Sequence, residues 1–379
     1  MGYLLNRGGV YLKIMTVFGT RPEGIKMAPI VKELEKREGI ESIVCVTAQH
    51  REMLDQVLNL FNIKPDYDLD IFKPGQTLTE ITTRALKGLE EVIVKEKPDV
   101  LLVQGDTTTV FAGALAAFYQ RVKIGHVEAG LRSGNLYSPY PEEANRKLAG
   151  ILADFHFAPT EKNRENLLRE DYPDEKIFIT GNTVIDALKY VIKEDYIFEL
   201  DLLNNLDYKN KRVILVTSHR SENIGKPMEN IFTAIKDIVE GYKDVEVVFP
   251  MHLNPKVRDI ANRVLGSNNR IHLIEPLDYE PLANLMSKVH LIVTDSGGLQ
   301  EEGPTFGKPV LVVREETERP EGVEAGTAKL VGTTYEKLYN ELNLLLSNEE
   351  EYNKMANAIN PYGDGKASER IVDILVDSE

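Results

Sequence analysis

The amino-acid sequence predicts an α/β fold made of two doubly wound, Rossmann-like parallel sheets. The chain has 379 residues, which is more than a single hydrophobic core usually serves. Short β-branched runs alternate with longer amphipathic runs, which is the pattern of βαβ units. This alternation pauses at a polar, Asn-rich stretch near the middle of the chain and then starts again. We therefore expect two domains, each with its own parallel sheet.

The first half of the chain contains strand-like runs joined by helix-like segments. The runs are YLKIMTVFG, ESIVCVTA, DVLLVQGD, KIGHVEAG, FHFAPT and IFITGN, and the joining segments include APIVKELEKRE and TTVFAGALAAFYQR. Apolar runs of this kind are typical of parallel strands that are buried on both faces. We place the end of this domain near Asn182 to Tyr190 and assign residues 1–184 to it.

The second half repeats the pattern after the polar stretch LDLLNNLDYKNK. Its strand-like runs are RVILVTSH, VEVVFPMH, RIHLIEP, HLIVTDS, PVLVVRE and AKLVGT. We assign residues 185–365 to the second domain. The closing helix, residues 366–379, could pack on either domain.

Composition and charge exclude several classes of partner. The formal net charge of −15 opposes association with nucleic acid or with an anionic membrane. The single cysteine, Cys45, lies in an apolar run, which excludes a disulfide and a Cys-based zinc site. The amino terminus lacks the apolar core of a signal peptide, and no run reaches membrane-spanning length. We expect a cytoplasmic protein.

Polar residues follow the strand-like runs of both halves. Open parallel sheets bind ligands beyond the carboxyl ends of their strands, so we expect the two domains to face a cleft that holds a polar ligand. Coincidental helix capping is the alternative for any one of these residues. They are Arg21, Gln49, Asp106, Glu128, Asn182, His219, His252, Ser296 and Arg314.

The segment TDSGGLQEEG predicts a nucleotide diphosphate site. Ser296 would cap a helix whose first residues, Gly297 and Gly298, let backbone N–H groups approach a phosphate closely. Glu301 and Glu302 follow one turn later, a distance that suits the hydroxyls of a ribose. A tight turn followed by a solvated helix face is the alternative.

The loop VFGTRPEGIKMAP offers positive charge beside a second Gly-rich turn. Its spacing is neither the dinucleotide fingerprint nor a P-loop, so a tightly held nicotinamide is not expected. Arg21 and Lys26 could stabilise a leaving phosphate, although surface cations would look the same in the sequence.

Carboxylates and histidines supply candidate acids and bases. Carboxylates crowded into one cleft raise some of their pKa values toward neutrality, although salt bridges to Arg132 and Arg146 would also explain them. Two histidines at equivalent strand ends suit phosphate contact or proton transfer. No metal-ligand spacing such as HExxH is present, and we expect neither a metal nor a cofactor. The candidates are Asp106, Glu128, Glu142, Glu143, His219 and His252.

Taken together, these motifs resemble the non-hydrolysing UDP-N-acetylglucosamine 2-epimerases. The resemblance runs through FGTRPEGIKMAP, TAQHREMLDQVL, QGDTTT, HVEAGLRSG, YSPYPEEANR, TGNTVIDAL, SHRSEN, HLNP, DSGGLQEEGP and ETERPEG. It implies a two-domain, glycosyltransferase-B-like fold. It also implies reversible epimerisation at C2 of UDP-GlcNAc to UDP-ManNAc, by elimination of UDP to 2-acetamidoglucal and re-addition, for polysaccharide biosynthesis.

The resemblance also implies roles for individual residues. The catalytic groups would be Asp106, Glu128, Glu142 and His219. The substrate would be bound by Arg21, Lys26, His252, Ser296, Gly297, Gly298, Glu302 and Arg319, with the backbone of Glu275, Pro276 and Leu277 on the uracil. Gln49 and His50 would belong to a site for a second UDP-GlcNAc that acts as an activator. A homodimer is the expected assembly.

Other functions remain open from the residues alone. A hydrolysing epimerase would release ManNAc and UDP from a similar site. An inverting nucleotide-sugar glycosyltransferase would share the fold and the nucleotide site but would need an acceptor. A catalytically silent sensor would bind the nucleotide sugar without exchanging the proton at C2.

Overall fold

The computed structural model describes residues 12–49 and 51–378, and these residues form two compact units. The first unit comprises the described residues through Tyr190 together with those from Tyr362 onward, and the second spans Val191–Pro361. The sequence predicts domain boundaries after residues 184 and 365. The structure differs slightly, because it assigns residues 185–190 and 362–365 to the first unit.

The first unit is built on a seven-stranded parallel sheet in the order β3-β2-β1-β4-β5-β6-β7. The strands are β1 Leu12–Phe18, β2 Ile40–Val46, β3 Tyr67–Asp68, β4 Val100–Gln104, β5 Lys123–Val127, β6 Phe155–Ala158 and β7 Ile177–Ile179. The helices are α1 Arg21–Lys36, α2 Arg51–Leu60, α3 Leu78–Glu96, α4 Thr108–Tyr119, α5 Glu142–Leu152, α6 Glu161–Arg169 and α7 Thr183–Val191.

The second unit repeats the same topology with six parallel strands in the order β10-β9-β8-β11-β12-β13. The strands are β8 Arg212–Thr217, β9 Val245–Pro250, β10 Ile271–Ile274, β11 Leu291–Thr294, β12 Val310–Val312 and β13 Ala328–Leu330. The helices are α8 Asp201–Asn205, α9 Lys226–Gly241, α10 Pro255–Leu265, α11 Tyr279–Lys288, α12 Gly297–Glu302, α13 Pro320–Glu324, α14 Tyr335–Ser347 and α15 Glu349–Ala356. The prediction of two doubly wound α/β domains is confirmed.

The strand order of each sheet reverses at one point, between β1 and β4 in the first unit and between β8 and β11 in the second. Ligands of doubly wound sheets bind beyond the carboxyl ends of the strands at this reversal. The central strands are apolar because helices cover both faces of each sheet, and every residue of β4 is buried. Cys45 of β2 is part of this core, and burial raises the pKa of its thiol to about 12.

The carboxyl-terminal segment belongs to the first unit, which the sequence could not decide. Its helix, α16 (Ala367–Asp377), begins over the buried carboxylate of Asp186. That carboxylate accepts hydrogen bonds from the backbone N–H groups of Ala367 and Ser368 at 3.1 and 2.8 Å. It therefore satisfies donors that a helix start leaves without partners. Within the described part of the chain, no helix has both the length and the apolar character needed to cross a bilayer.

Candidate active site

A cluster around Glu128 lies at the carboxyl edge of the first sheet. The Lys26 amine is 2.7 Å from both carboxylate oxygens of Glu128, and the Gln104 amide also donates to this carboxylate. The Asn182 amide lies 3.3 Å from Oε1 of Glu128, whereas Gln104 contacts Oε2. The side chains of Lys26 and Glu128 are only 17% and 9% exposed, so the pair is largely screened from solvent. Glu128 is thus held as a charged carboxylate on a positively charged partner.

The turn after β5 gives Glu128 its position. Glu128 has a φ of +64°, in the left-handed region that residues with side chains rarely adopt. Gly130 follows with a φ of +89°, and a Cβ there would lie 2.3 Å from the carbonyl oxygen of Asn163. Only glycine fits this close approach. The tight turn directs the carboxylate of Glu128 toward the end of β4.

Asp106 is held by residues of α5. The Arg146 guanidinium binds one carboxylate oxygen of Asp106 at 2.9 and 2.6 Å, and the Asn145 amide donates to the Asp106 backbone carbonyl at 2.9 Å. Arg146 also lies 3.0 Å from Glu143. The salt bridge to Arg146 that the sequence left open is therefore formed, and it holds the loop after β4 against α5.

The two adjacent glutamates at the start of α5 have different surroundings. Glu143 is fully buried and accepts hydrogen bonds from the backbone N–H groups of Ser133 and Gly134 at 3.0 and 3.2 Å. It shapes the loop before α5. Glu142 is partly exposed, and no other described residue hydrogen-bonds to its carboxylate or forms an ion pair with it. Arg132, the other cation considered for these carboxylates, instead pairs with Glu170 at 2.8 Å.

Glu23 connects the loops after β1 and β4, although sequence reasoning missed it as a site residue. Its buried carboxylate accepts hydrogen bonds from the N–H groups of Gly19 and Thr20 at 2.8 and 2.7 Å and from the Thr107 hydroxyl. Burial raises the pKa of Glu23, and the hydrogen bonds oppose this rise without cancelling it. The spacing T-x-x-E of a capping box was the available signal.

Arg21 and Gln49 lie at the same edge as this cluster. Arg21 is the first residue of α1 and is partly exposed. Gln49 accepts a hydrogen bond from the Thr109 hydroxyl at 3.2 Å, and that hydroxyl also lies 2.9 Å from the hydroxyl of Thr47. His50, the second predicted activator residue, lies outside the described residues.

The carboxyl edge of the second sheet carries His219, His252 and Asp295. His219 follows β8, and its Nδ1 atom lies 2.9 Å from a carboxylate oxygen of the fully buried Asp295. The rings of His219 and His252 stack with their centroids 5.8 Å apart. Burial raises the pKa of Asp295, but hydrogen bonds from His219 and from backbone N–H groups outweigh it and lower the pKa overall. Asp295 therefore remains a carboxylate beside His219.

The predicted phosphate motif forms the turn from β11 into α12. Ser296 is the N-cap of α12, and its N–H donates to the Thr294 hydroxyl at 2.9 Å. A Cβ on Gly297 would meet nothing within 4 Å, so this face of the turn is open. Glu302 is buried, and one of its carboxylate oxygens lies 3.6 Å from the position of a Cβ on Gly298.

Two further predicted binding segments are held in place by ion pairs. Arg319 pairs with Glu301, so that the segment before α13 is joined to α12. Glu275, which follows β10 and precedes Pro276 and Leu277, is 71% exposed and pairs with Arg258 at 2.5 Å. Arg258 also donates to the backbone carbonyl of His252 at 3.3 Å.

The structure thus groups the predicted residues at two sheet edges. The first edge holds Arg21, Lys26, Asp106, Glu128 and Glu142. The second holds His219, His252, Ser296, Gly297, Gly298, Glu302 and Arg319. Arg314, another strand-end residue, binds Glu318 at 2.6 Å. Burial alone would raise the pKa of Glu318, but the hydrogen bond and positive charge of Arg314 help to lower it to about 2. No group of three or more His, Cys, Asp or Glu side chains in residues 12–49 and 51–378 is arranged to hold a metal ion.

Comparisons with known proteins show which family this chain resembles. The profile of a family described as UDP-N-acetylglucosamine 2-epimerase matches residues 32–376. The chain is 57% identical over 366 residues to a Bacillus subtilis UDP-N-acetylglucosamine 2-epimerase, covering 96% of this chain and 95% of the relative.

Two solved structures also match along almost the whole chain. A co-structure of the S. aureus protein MnaA with UDP has a TM-score of 0.86 and 55% identity, covering 96% of each chain. A UDP-GlcNAc 2-epimerase from Neisseria meningitidis bound to UDP-GlcNAc has a TM-score of 0.86 and 52% identity, covering 97% of this chain and 100% of that one. The similarity of the chain to solved UDP-N-acetylglucosamine 2-epimerase structures confirms the predicted glycosyltransferase-B-like fold class.

Proposed function

The chain belongs to the UDP-N-acetylglucosamine 2-epimerase family of enzymes, and we propose that it interconverts UDP-GlcNAc and UDP-ManNAc without hydrolysing them. The observation that carries this proposal is the pairing of Glu128 with Lys26 beside Asp106, at the point where the first sheet reverses its strand order. The Neisseria meningitidis relative was solved with UDP-GlcNAc, which supports the same substrate here.

The order of bond breaking follows from the chemistry of the sugar. The proton at C2 is not next to a carbonyl group, so a carboxylate cannot remove it from the intact substrate. Departure of UDP comes first and leaves an oxocarbenium-like centre at C1, which acidifies the proton at C2. A carboxylate then removes that proton to give 2-acetamidoglucal. Addition of UDP with protonation of C2 from the opposite face gives the epimer.

The surroundings of the three carboxylates suggest different tasks. Glu128 pairs with Lys26, and Asp106 pairs with Arg146. We assign Glu128 to stabilising positive charge at C1 and Asp106 to one face of C2. Glu142 forms no ion pair or hydrogen bond through its carboxylate with another described residue, so we assign it to the other face.

The second sheet edge is assigned to UDP. The open turn at Ser296, Gly297 and Gly298 offers backbone N–H groups to the diphosphate, and His219 and His252 add donors beside it. Glu302 would bind the ribose. The backbone of Glu275, Pro276 and Leu277 would bind uracil, with Arg319, Arg21 and Lys26 adding positive charge around the diphosphate and the sugar. In other enzymes, donors fixed in place before the reaction stabilise developing negative charge by several kcal/mol.

An NMR time course with UDP-GlcNAc in D2O tests the function. We expect deuterium at C2 of both nucleotide sugars, and turnover without deuterium would contradict the proposal. Release of free ManNAc and UDP would identify a hydrolysing enzyme. Turnover only with an acceptor would identify a glycosyltransferase, and binding without exchange would identify a sensor.

We also propose an activator site for a second UDP-GlcNAc at Gln49 and His50. Gln49 supports it because its side chain accepts a hydrogen bond from Thr109 in the first turn of α4, the helix that follows the loop carrying Asp106. Gln49→Ala should raise the UDP-GlcNAc concentration needed for half-maximal epimerisation of UDP-ManNAc. An unchanged concentration dependence would argue against this site.

We further propose that the chain forms a homodimer through α4 and α5. Phe118 and Tyr119 at the end of α4, and Leu148 and Ile151 on the neighbouring α5, expose large apolar side chains. Light scattering should give twice the mass of 42.7 kDa, and Ile151→Lys should weaken the dimer. Ile359→Lys, at an exposed position of the second unit, is the matched control. The cytoplasmic location stays a prediction from the sequence.

A further inference from the structure

We propose that Asp295 is a positioning residue for His219: its carboxylate holds the imidazole with a proton on Nδ1 and leaves Nε2 for the departing diphosphate. This inference rests on the proposed function, because it concerns how the second sheet edge receives UDP. In TDSGGLQEEG, the proposed roles in binding UDP belong to the serine, the glycines and a glutamate, and Asp295 directly precedes them.

Asp295 lies at the point where the second sheet reverses its strand order. It follows β11 directly, and its N–H donates to the carbonyl of Thr217 at the end of β8. Its side chain is fully buried, whereas the side chain of His219 is 38% exposed. The imidazole therefore lies between a buried carboxylate and the open edge of the sheet.

The loop after β8 surrounds this carboxylate with hydrogen-bond donors. The Ser218 hydroxyl lies at 3.0 Å, the N–H groups of His219 and Arg220 at 2.9 and 3.0 Å, and the Asn223 amide at 3.1 Å. Each donor favours the ionised form of the carboxylate. These contacts agree with the lowered pKa of Asp295, which the nearby positive charge of Arg314 also favours.

The charge on Asp295 determines where His219 carries its proton. An ionised carboxylate has no hydrogen to donate, so the 2.9 Å contact requires the hydrogen to be on Nδ1 of His219. Nε2, on the other side of the ring, accepts no hydrogen bond from any described residue and donates none to one. It can donate a hydrogen bond to an ionised phosphate oxygen once the ring is protonated, because in the neutral ring with its proton on Nδ1 the Nε2 atom is only an acceptor.

Two consequences follow for the reaction. The buried negative charge offsets the positive charge of a protonated imidazole, which stabilises the ring when it donates to UDP. An asparagine at position 295 could donate from its amide to Nδ1 and so select the tautomer with the proton on Nε2. Asp295→Asn should therefore change the reaction more than it changes the fold.

A purely structural role is the competing explanation, since Asp295 also holds the loop after β8. Ser218→Ala is the matched control, because it removes one hydrogen bond to the same carboxylate and leaves the contact with His219 intact. If Asp295 only held the loop, the two variants would differ in degree and neither would change the tautomer of His219.

The experiment combines kinetics with nitrogen NMR of 15N-histidine-labelled full-length protein, with the His219 signals identified from His219→Asn. In the wild type we expect neutral His219 to carry its proton on Nδ1, and in Asp295→Asn on Nε2. For deuterium exchange at C2, kcat should fall roughly 100-fold in Asp295→Asn, while KM for UDP-GlcNAc changes less than about threefold. In Ser218→Ala, both kcat and KM should stay within about threefold of the wild type.

Two results would overturn the inference: wild-type His219 with its proton on Nε2, or Asp295→Asn with an unchanged kcat. If Asp295→Asn does not fold, the tautomer of the wild type decides. Failure of the proposed function is distinguishable, because the wild type would then exchange no deuterium whatever the state of His219.

Discussion

Removing the charge of Lys26 tests the cluster on which the proposed function depends. Lys26→Met keeps a side chain of similar length but leaves the buried carboxylate of Glu128 without its cation. Unit charges 2.7 Å apart attract by about 6 kcal/mol at an effective dielectric of about 20, and desolvation offsets part of this. Because removal of one partner strands a buried charge, we expect Lys26→Met to lower the free energy of unfolding of the first unit by about 3 kcal/mol.

A double-mutant cycle separates this pairing from general damage. Glu128→Gln removes the stranded charge, so the double variant should be more stable than Lys26→Met alone, with a coupling free energy of about 2 kcal/mol or more. Urea unfolding at neutral pH measures each variant. Lys32→Met is the control on the same helix, because its partner Glu35 is 46% exposed. That control should cost less than about 1 kcal/mol. Additive effects of Lys26→Met and Glu128→Gln would refute the pairing.

The remaining predictions concern the reaction, nucleotide binding and two buried groups. Asp106→Asn and Glu142→Gln should each abolish deuterium exchange at C2, while the UDP affinity measured by calorimetry stays within a few-fold of the wild type. If either variant exchanges deuterium unimpaired, the substituted residue does not transfer the proton. Glu302→Ala should weaken UDP binding by roughly tenfold, the loss of one hydrogen bond to a charged group, and unchanged affinity would contradict its ribose role. Cys45, with a thiol pKa of about 12, should react with a thiol reagent at pH 8 only after unfolding, so rapid labelling of native protein would contradict its burial. Burial lowers the pKa of His156 to about 3, below its unfolded value of about 6.5. The stability that is present above pH 6.5 should therefore be lost by about 1.4 kcal/mol per pH unit as the pH falls below 6.5. In urea unfolding, His156→Phe should reduce that slope, and an equal slope would refute this prediction.

The sequence was informative where the physical cause is local. Apolar runs without polar alternation predicted buried parallel strands, and β1, β4, β8 and β11 lie where such runs were found. The segment DSGGLQEE also predicted a helix start after β11, and α12 begins at Gly297 with Ser296 at the N-cap position, although the Ser296 side chain makes no capping hydrogen bond.

The partners of the charged groups could not be predicted from the sequence, because they are distant along the chain. Asp186 accepts a hydrogen bond from the N–H group of Ser368 in α16. Because the sequence does not reveal this contact, it left open which domain the closing helix joins. Asp295 contacts His219, although nothing in the spacing of the two residues indicates it.

Neighbouring glutamates show a second limit of the sequence. Glu142 and Glu143 looked equivalent, since EEANR gives no exact start for the helix. The structure begins α5 at Glu142, which turns Glu143 inward onto Arg146 and leaves Glu142 partly exposed. Which glutamate faces inward depends on where the helix begins, and the sequence does not give that start to within one residue.

The central claim is that the bond between the sugar and UDP breaks and forms again during turnover. Positional isotope exchange tests it directly, with UDP-GlcNAc that carries 18O in the oxygen joining C1 to the β-phosphate. Cleavage lets that phosphate rotate before UDP adds back, so the account predicts 18O in the non-bridging positions of recovered UDP-GlcNAc, seen by 31P NMR. Epimerisation with the label still wholly in the bridging position would contradict it.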